Sequence, residues 1–188
     1  MPGAKYTVIF EIAADHYGFF TVEQAREAEV SAKTLHAMVR RGTLEHMSNG
    51  LYRVAAIAPS PRSEYMEASL WPRGLRGIIS HDSALVLHDL SDVNPAKIHV
   101  TVPRTHRILR RVPPVYVIHR ADLRPDEVGY VEGIPVTTPV RTIRDCYRAH
   151  LGPALIRQAL EDGVRNGALT TTQAERLARE CALGGGTR

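Results

Sequence analysis

A chain of 188 residues, 44% apolar and 23% charged, has room for one ordinary hydrophobic core or two small ones and is too apolar to stay disordered. No apolar run approaches the roughly 18–20 residues that span a bilayer, and residues 1–6 lack the apolar stretch and small-residue cleavage site of a secretory signal, so a cytoplasmic protein is expected. The net charge of +4 is uneven: residues 59–120 hold nine Lys/Arg against five Asp/Glu, while the segments on either side are balanced.

In chain order, residues 5–17 predict a first helix, with Val8, Ile9, Ile12, Ala13 and His16 as its buried stripe and Gly18 at its left-handed C-terminal position. Phe19 and Phe20 read as apolar plugs. Thr21 with Gln24 forms a capping box for a short second helix, whose inner face is Val22, Ala25 and Ala28, and Phe20 is its staple residue. Ser31 then caps a third helix over residues 31–41. On that helix Leu35, Met38, Val39 and Gly42 share one side, while Lys33, His36, Ala37 and Arg40 share the other, flanked by Thr34 and Arg41. Basic and small side chains together suit a helix that enters the major groove, because arginine reads guanine and small residues allow close approach. An ordinary solvated helix face has similar polarity. Two short strands, residues 43–47 and 51–54, flank Ser48-Asn49-Gly50, and Asn-Gly is a strong hairpin signal. The order of elements is that of a winged helix-turn-helix over residues 1–58, with Asn49 and Arg53 as wing residues that could reach phosphates.

Ala55-Ala56-Ile57-Ala58-Pro59-Ser60-Pro61 reads as a boundary. A mixed α+β second domain is expected over residues 62–183 and a frayed tail over 184–188. Its helices are predicted at residues 62–70, 82–90 (capped by Ser80), 139–150 (Thr138 as cap, Pro139 at its first position), 154–166 and from Thr170, where Gln173 completes a second capping box. On the last of these Ala174, Leu177, Ala178 and Cys181 are expected inward. Strands are predicted at 98–102, 115–119, 128–131 and 134–136. Between the first two lies the densest positive charge of the chain: Arg104, His106, Arg107, Arg110 and Arg111. That run suits phosphate or partner contact, and equally a solvated hairpin tip.

The signals for chemistry are weak. Arginine outnumbers lysine 21 to 3, which suits phosphate and guanine recognition and also arises from codon bias in a GC-rich genome. The two cysteines, Cys146 and Cys181, form no C-x-x-C pair. His81, Asp82, His88, Asp89 and Asp92 invite a metal reading, but His81 and His88 on one helix stand about 10 Å apart, too far to share an ion. Ser80-His81-Asp82 are sequence neighbours, whereas a nucleophilic triad is assembled in space. No phosphate-cradling glycine motif is present. No catalytic residue, metal or cofactor is expected.

The run Gly18-Phe19-Phe20-Thr21-Val22-Glu23-Gln24-Ala25, followed by Val30-Ser31, Leu35, Val39-Arg40-Arg41-Gly42, Leu44 and Gly50-Leu51-Tyr52-Arg53, resembles the N-terminal domain of the AbiEi antitoxin family. Ile79-Ser80-His81-Asp82-Ser83-Ala84-Leu85, Leu87-His88, Ile98-His99-Val100-Thr101-Val102-Pro103 and the stretch from Gly133 through Pro139, Arg141, Thr142 and Ile143 to Asp145 resemble its C-terminal domain. The resemblance implies an antitoxin of a type IV toxin–antitoxin pair. Such a protein represses its own operon at promoter inverted repeats and counteracts a nucleotidyltransferase-like toxin from a neighbouring gene. It implies Lys33, Thr34, His36, Arg40 and Arg41 as base and phosphate readers, with Arg53 on the wing. Two departures are that Asp89 stands where glycine is more usual and that the chain ends early. A winged-helix regulator with a ligand-sensing second domain is the alternative.

Overall fold

The computed structural model describes residues 3–183, and the tail expected at 184–188 lies outside the described residues. The chain divides into two compact units, residues 1–77 and 78–188. No helix among the described residues is long and apolar enough to cross a membrane.

The first unit starts with α1 (Ala4–Ala14), β1 (Phe19–Thr21), α2 (Val22–Glu27) and α3 (Ala32–Arg40). It continues with β2 (Leu44–Ser48), β3 (Leu51–Val54) and α4 (Ser63–Leu70). The strands form an antiparallel sheet in the order β1-β3-β2. Phe19 and Phe20, read as plugs, are therefore strand residues: their backbone pairs with Arg53 and Tyr52. Three residues are too short a run for an alternation signal to show. Ile9, Ala13, Phe20, Ala25, Val30, Leu35, Leu44, Tyr52 and Val54 make one core, with Tyr6 and Ile12 packed against it. Val8, expected in the buried stripe, is exposed, because the inward row of α1 is Tyr6, Ile9 and Ala13.

The helix ends follow one rule. The amide of Gly18 bonds back to the Ala13 carbonyl, and the residue between helix and closure, Tyr17, takes the left-handed conformation with φ 56°. Gly18, expected in that conformation, follows it with a positive φ of its own, 91°. Glu29 after α2 does the same with φ 58°. Gly42, expected on the inner side of α3, instead terminates that helix with φ 72°. The capping box at Thr21 is present in both directions, Gln24 Oε1 accepting from the Thr21 amide at 2.8 Å and Thr21 Oγ1 from the Gln24 amide at 3.3 Å.

The second unit holds β4 (Ile78–Ile79), α5 (His81–Leu87), β5 (Ile98–Val102), β6 (Tyr116–Arg120), β7 (Val128–Val131) and β8 (Ile134–Thr137). It ends in α6 (Pro139–Arg148), α7 (Pro153–Arg165) and α8 (Thr171–Leu183). Its mixed sheet has the order β6-β5-β4-β8-β7. β5 and β6 run parallel, as do β4 and β8. α5 packs on the sheet at β5 and β8, α6 packs on α5, and α6, α7 and α8 pack on one another, with a core of Leu85, Leu90, Ile143, Cys146, Ile156, Ala159, Leu169 and Leu177. Cys146 is fully buried and Cys181 half-buried, both as free thiols. The capping pair Thr170–Gln173 opens α8 as expected, but Ala178 faces outward. Ser80 precedes α5 without a side-chain cap bond, because its hydroxyl is engaged elsewhere. Asp89 takes φ 52° and closes α5 through the Leu90 amide on the Leu85 carbonyl, so the missing glycine is replaced by a residue type that tolerates this region.

Two predictions follow from this packing. A Cβ on Gly163 of α7 would lie 2.7 Å from Leu169 Cδ1 and 2.9 Å from its Cγ, inside the core. Gly163→Ala is expected to destabilise the second unit by about 1–3 kcal/mol, the usual cost of overpacking, and urea unfolding reads it directly. Burial also lowers the pKa of His16, His81, His88, His99 and His119. Each of these rings binds a proton less readily in the folded chain than in the unfolded one. Stability is therefore full above the unfolded value near 6.5 and falls as pH drops below it. The melting temperature should decrease between about pH 7.5 and pH 5, where carboxylates still contribute little; a flat profile over that range would contradict it.

Candidate nucleic-acid interface

The exposed side of α3 is set by a single buried anchor. Leu35 is fully buried, and Met38 and Val39 are half-buried against the same core, while Ala37, expected on the outer side, is half-buried there. At 100° per residue the opposite row is Lys33, His36 and Arg40, all three exposed, and Arg41 at the helix end is exposed too. Thr34 is half-buried and belongs to the helix start: its amide donates to Ser31 Oγ at 3.3 Å, and the two hydroxyls are 3.0 Å apart.

The wing completes a groove. His46 on β2 pairs with Tyr52 on β3, and their rings lie 5.0 Å apart. Tyr52 also stacks on Phe20 at 5.6 Å, which fixes its ring against the core. Together with Lys33, His36, Val39 and Arg40, these two rings line an open groove of about 680 Å³. Its floor is apolar and its rim basic. The residue signals for His46 and Tyr52 were present in the sequence, but their side of the hairpin follows only from the register. β2 carries one extra residue, Met47, between the His46–Tyr52 and Ser48–Leu51 pairs. Gly50 turns the hairpin with φ 80°, its carbonyl accepts from the Val22 amide at 2.8 Å, and a Cβ there would lie 3.3 Å from Val22 Cγ1. The wing tip is thereby fastened to the start of α2, with Asn49 exposed at the tip.

Arg53 does not join this surface. Its strand neighbour Tyr52 faces the groove, so alternation turns Arg53 to the other side of the sheet. There its Nη1 donates to Glu45 Oε2 at 2.8 Å and its Nη2 to the Ile57 carbonyl at 2.6 Å, leaving the side chain 13% exposed. An arginine so engaged locks the base of the wing and is not extended toward a phosphate.

In the second unit, Arg104, Arg107 and Arg111 are exposed and His106 and Arg110 half-buried on the connection between β5 and β6. Because these strands are parallel, the connection is a crossover and not a hairpin tip. Its ends are held: the Arg104 amide donates to Asp122 Oδ1 at 3.1 Å, and Arg120 Nη1 donates to the His106 carbonyl at 2.7 Å. Leu109, between the arginines, is 93% exposed.

His81, weighed in the sequence against His88 on one helix, stands elsewhere. His88 turns inward, its Nε2 donating to the Thr137 carbonyl at 2.8 Å. His81 instead meets His99 and His119, one nitrogen of each ring lying within 4.8 Å of the others. Burial, followed by the neighbouring rings, pushes the His81 pKa down to about 3 and that of His119 to about 4. One histidine in each of two strand runs was the sequence signal, but only the parallel pairing of β5 with β6 brings them together.

No curated protein sequence matches the chain. The crystal structure of the RV2827C protein from Mycobacterium tuberculosis is similar in fold, with a TM-score of 0.53 at 16% identity, covering 93% of this chain and 71% of that one. Residues 8–55, from α1 through the wing, match the family model described as "Transcriptional regulator, AbiEi antitoxin". By that match the segment from α1 through the wing is similar to the AbiEi antitoxin family of transcriptional regulators.

Proposed function

We propose that the chain is an antitoxin and autorepressor that binds inverted repeats in the promoter of its own operon and counteracts a nucleotidyltransferase-like toxin encoded beside it. The observation that carries the DNA-binding part is the row Lys33, His36 and Arg40, exposed along the one face of α3 that lies beside the wing groove. A helix anchored from behind by one leucine can enter the major groove without disturbing its core. Arg40 is then a guanine reader, His36 and Lys33 contact bases or phosphates, and Thr34 and Arg41 contact the backbone at either end. Asn49 at the wing tip reaches an adjacent phosphate, while Arg53 positions the wing through Glu45 and Ile57. Arg104, His106, Arg107, Arg110 and Arg111 form a second phosphate or partner contact on the other unit. Association with the toxin rests on the family match of the first unit and on the resemblance of the motifs in residues 79–145.

A gel shift with the DNA upstream of the gene, titrated with salt, tests this reading. Lys33→Ala and Arg40→Ala are each expected to weaken binding by about 1–3 kcal/mol per lost base contact, and each lost phosphate contact should reduce the salt slope by about 0.9. Unchanged affinity in the double variant, with the fold intact by circular dichroism, overturns the assignment of α3. Co-expression with the neighbouring gene tests the antitoxin part separately: growth should be rescued by the wild-type chain.

A further inference from the structure

Three imidazoles from three elements converge in the second unit. His81 opens α5, His99 lies in β5 and His119 in β6. In the parallel register Thr101 stands opposite His119, so His99, two residues before Thr101, projects to the same side of the sheet as His119. His119 Nε2 and His99 Nδ1 are 3.1 Å apart, and their ring centroids 5.1 Å. His81 stacks on His119 at 3.6 Å.

We propose that His81, His99 and His119 bind one divalent transition-metal ion of the zinc class, leaving a fourth position open to water or an incoming ligand. With metal–nitrogen bonds of about 2.0–2.1 Å, a tetrahedral site has nitrogens about 3.3 Å apart. The His99–His119 pair already stands near that spacing. The His81 nitrogen lies within 4.8 Å of both, so it closes the set by moving at most about 1.5 Å, a ring rotation off its stack.

The surroundings fit a ligand set. Ser80 Oγ lies 3.0 Å from His81 Nδ1 and accepts from Thr101 Oγ1 at 2.7 Å. In the tautomer whose Nδ1–H donates to that hydroxyl, Nε2 is left unprotonated to bind a metal, the arrangement by which outer partners orient metal-bound histidines. Ser80 gives up its capping role on α5 for this contact. His81 also holds φ 53°, a conformation unfavourable for a side-chain-bearing residue and kept only where its surroundings enforce it. The neighbouring Asp82 carboxylate acts on both His99 and His119 and supplies negative charge beside a dication. Three neutral nitrogen donors favour zinc and its neighbours over magnesium or calcium, which prefer oxygen.

The inference does not depend on the role of α3, since all its residues lie in the second unit. The test uses the full chain, stripped with chelator, exposed to Zn²⁺ alone and desalted, with metal read by mass spectrometry. Wild-type protein is expected to retain one equivalent, to melt at a higher temperature with Zn²⁺, and to give with Co²⁺ the intense visible bands of a four-coordinate site. His99→Gln and His119→Gln, confirmed folded by circular dichroism, should lose all three responses, whereas His150→Asn on the surface keeps them. Ser80→Ala, which leaves every ligand in place, should bind Zn²⁺ about 10–100-fold more weakly. Wild-type protein that retains no metal overturns the proposal. So does a folded His99→Gln or His119→Gln that retains as much as wild type.

Discussion

The burial of Leu35 against the core of the first unit is the contact on which the candidate interface depends. α3 has nine residues, too few to be stable alone, so its orientation is inherited from what its inner side touches. Leu35 meets a core assembled from α1, α2 and the small sheet, and only because that one side chain is fully inside are Lys33, His36 and Arg40 all outside. The sheet is held by the same core: Phe20 supports Tyr52, and Tyr52 supports His46. A loss at Leu35 would misdirect three basic side chains without touching any of them.

The local grammar of the chain was readable wherever a structure is made by neighbours in sequence. Thr21 with Gln24, Ser31, Thr170 with Gln173 and the Asn49-Gly50 hairpin specify helix starts and a turn through bonds that span two or three residues, and each is found in the fold. The face of α3 was legible for the same reason, since helical periodicity is a local property. β1 was not, because a three-residue strand is defined by its partner β3 and carries no period of its own.

Pairing direction and register account for the larger differences. Arg53 and Tyr52 are equally plausible wing residues in sequence, and only the alternation of β3 decides that one lines the groove and the other locks the base. His99 and His119 are 20 residues apart and become neighbours because β5 and β6 lie side by side in the same direction. The left-handed positions Tyr17, Glu29 and Asp89 belong to the same class: the closing bonds after each helix require the conformation whether or not a glycine supplies it. Position-specific cost is a tertiary quantity there, invisible in composition.

The parallel pairing of β5 and β6 also governs how the arginine-bearing connection can vary. A loop that merely reverses the chain can shrink to two residues, but residues 103–115 must carry the backbone from the far end of one strand back to the near end of the next. Five strand residues at about 3.3 Å each set a return path of roughly 16 Å, which needs about five residues even when fully extended. Deletions in this segment are therefore bounded by geometry, while its exposed side chains, Arg104, Arg107, Leu109 and Arg111, can change without altering the strand pairing. The span is a tether of fixed minimum reach with an interchangeable surface, a form in which charge can be gained or lost without re-pairing the sheet.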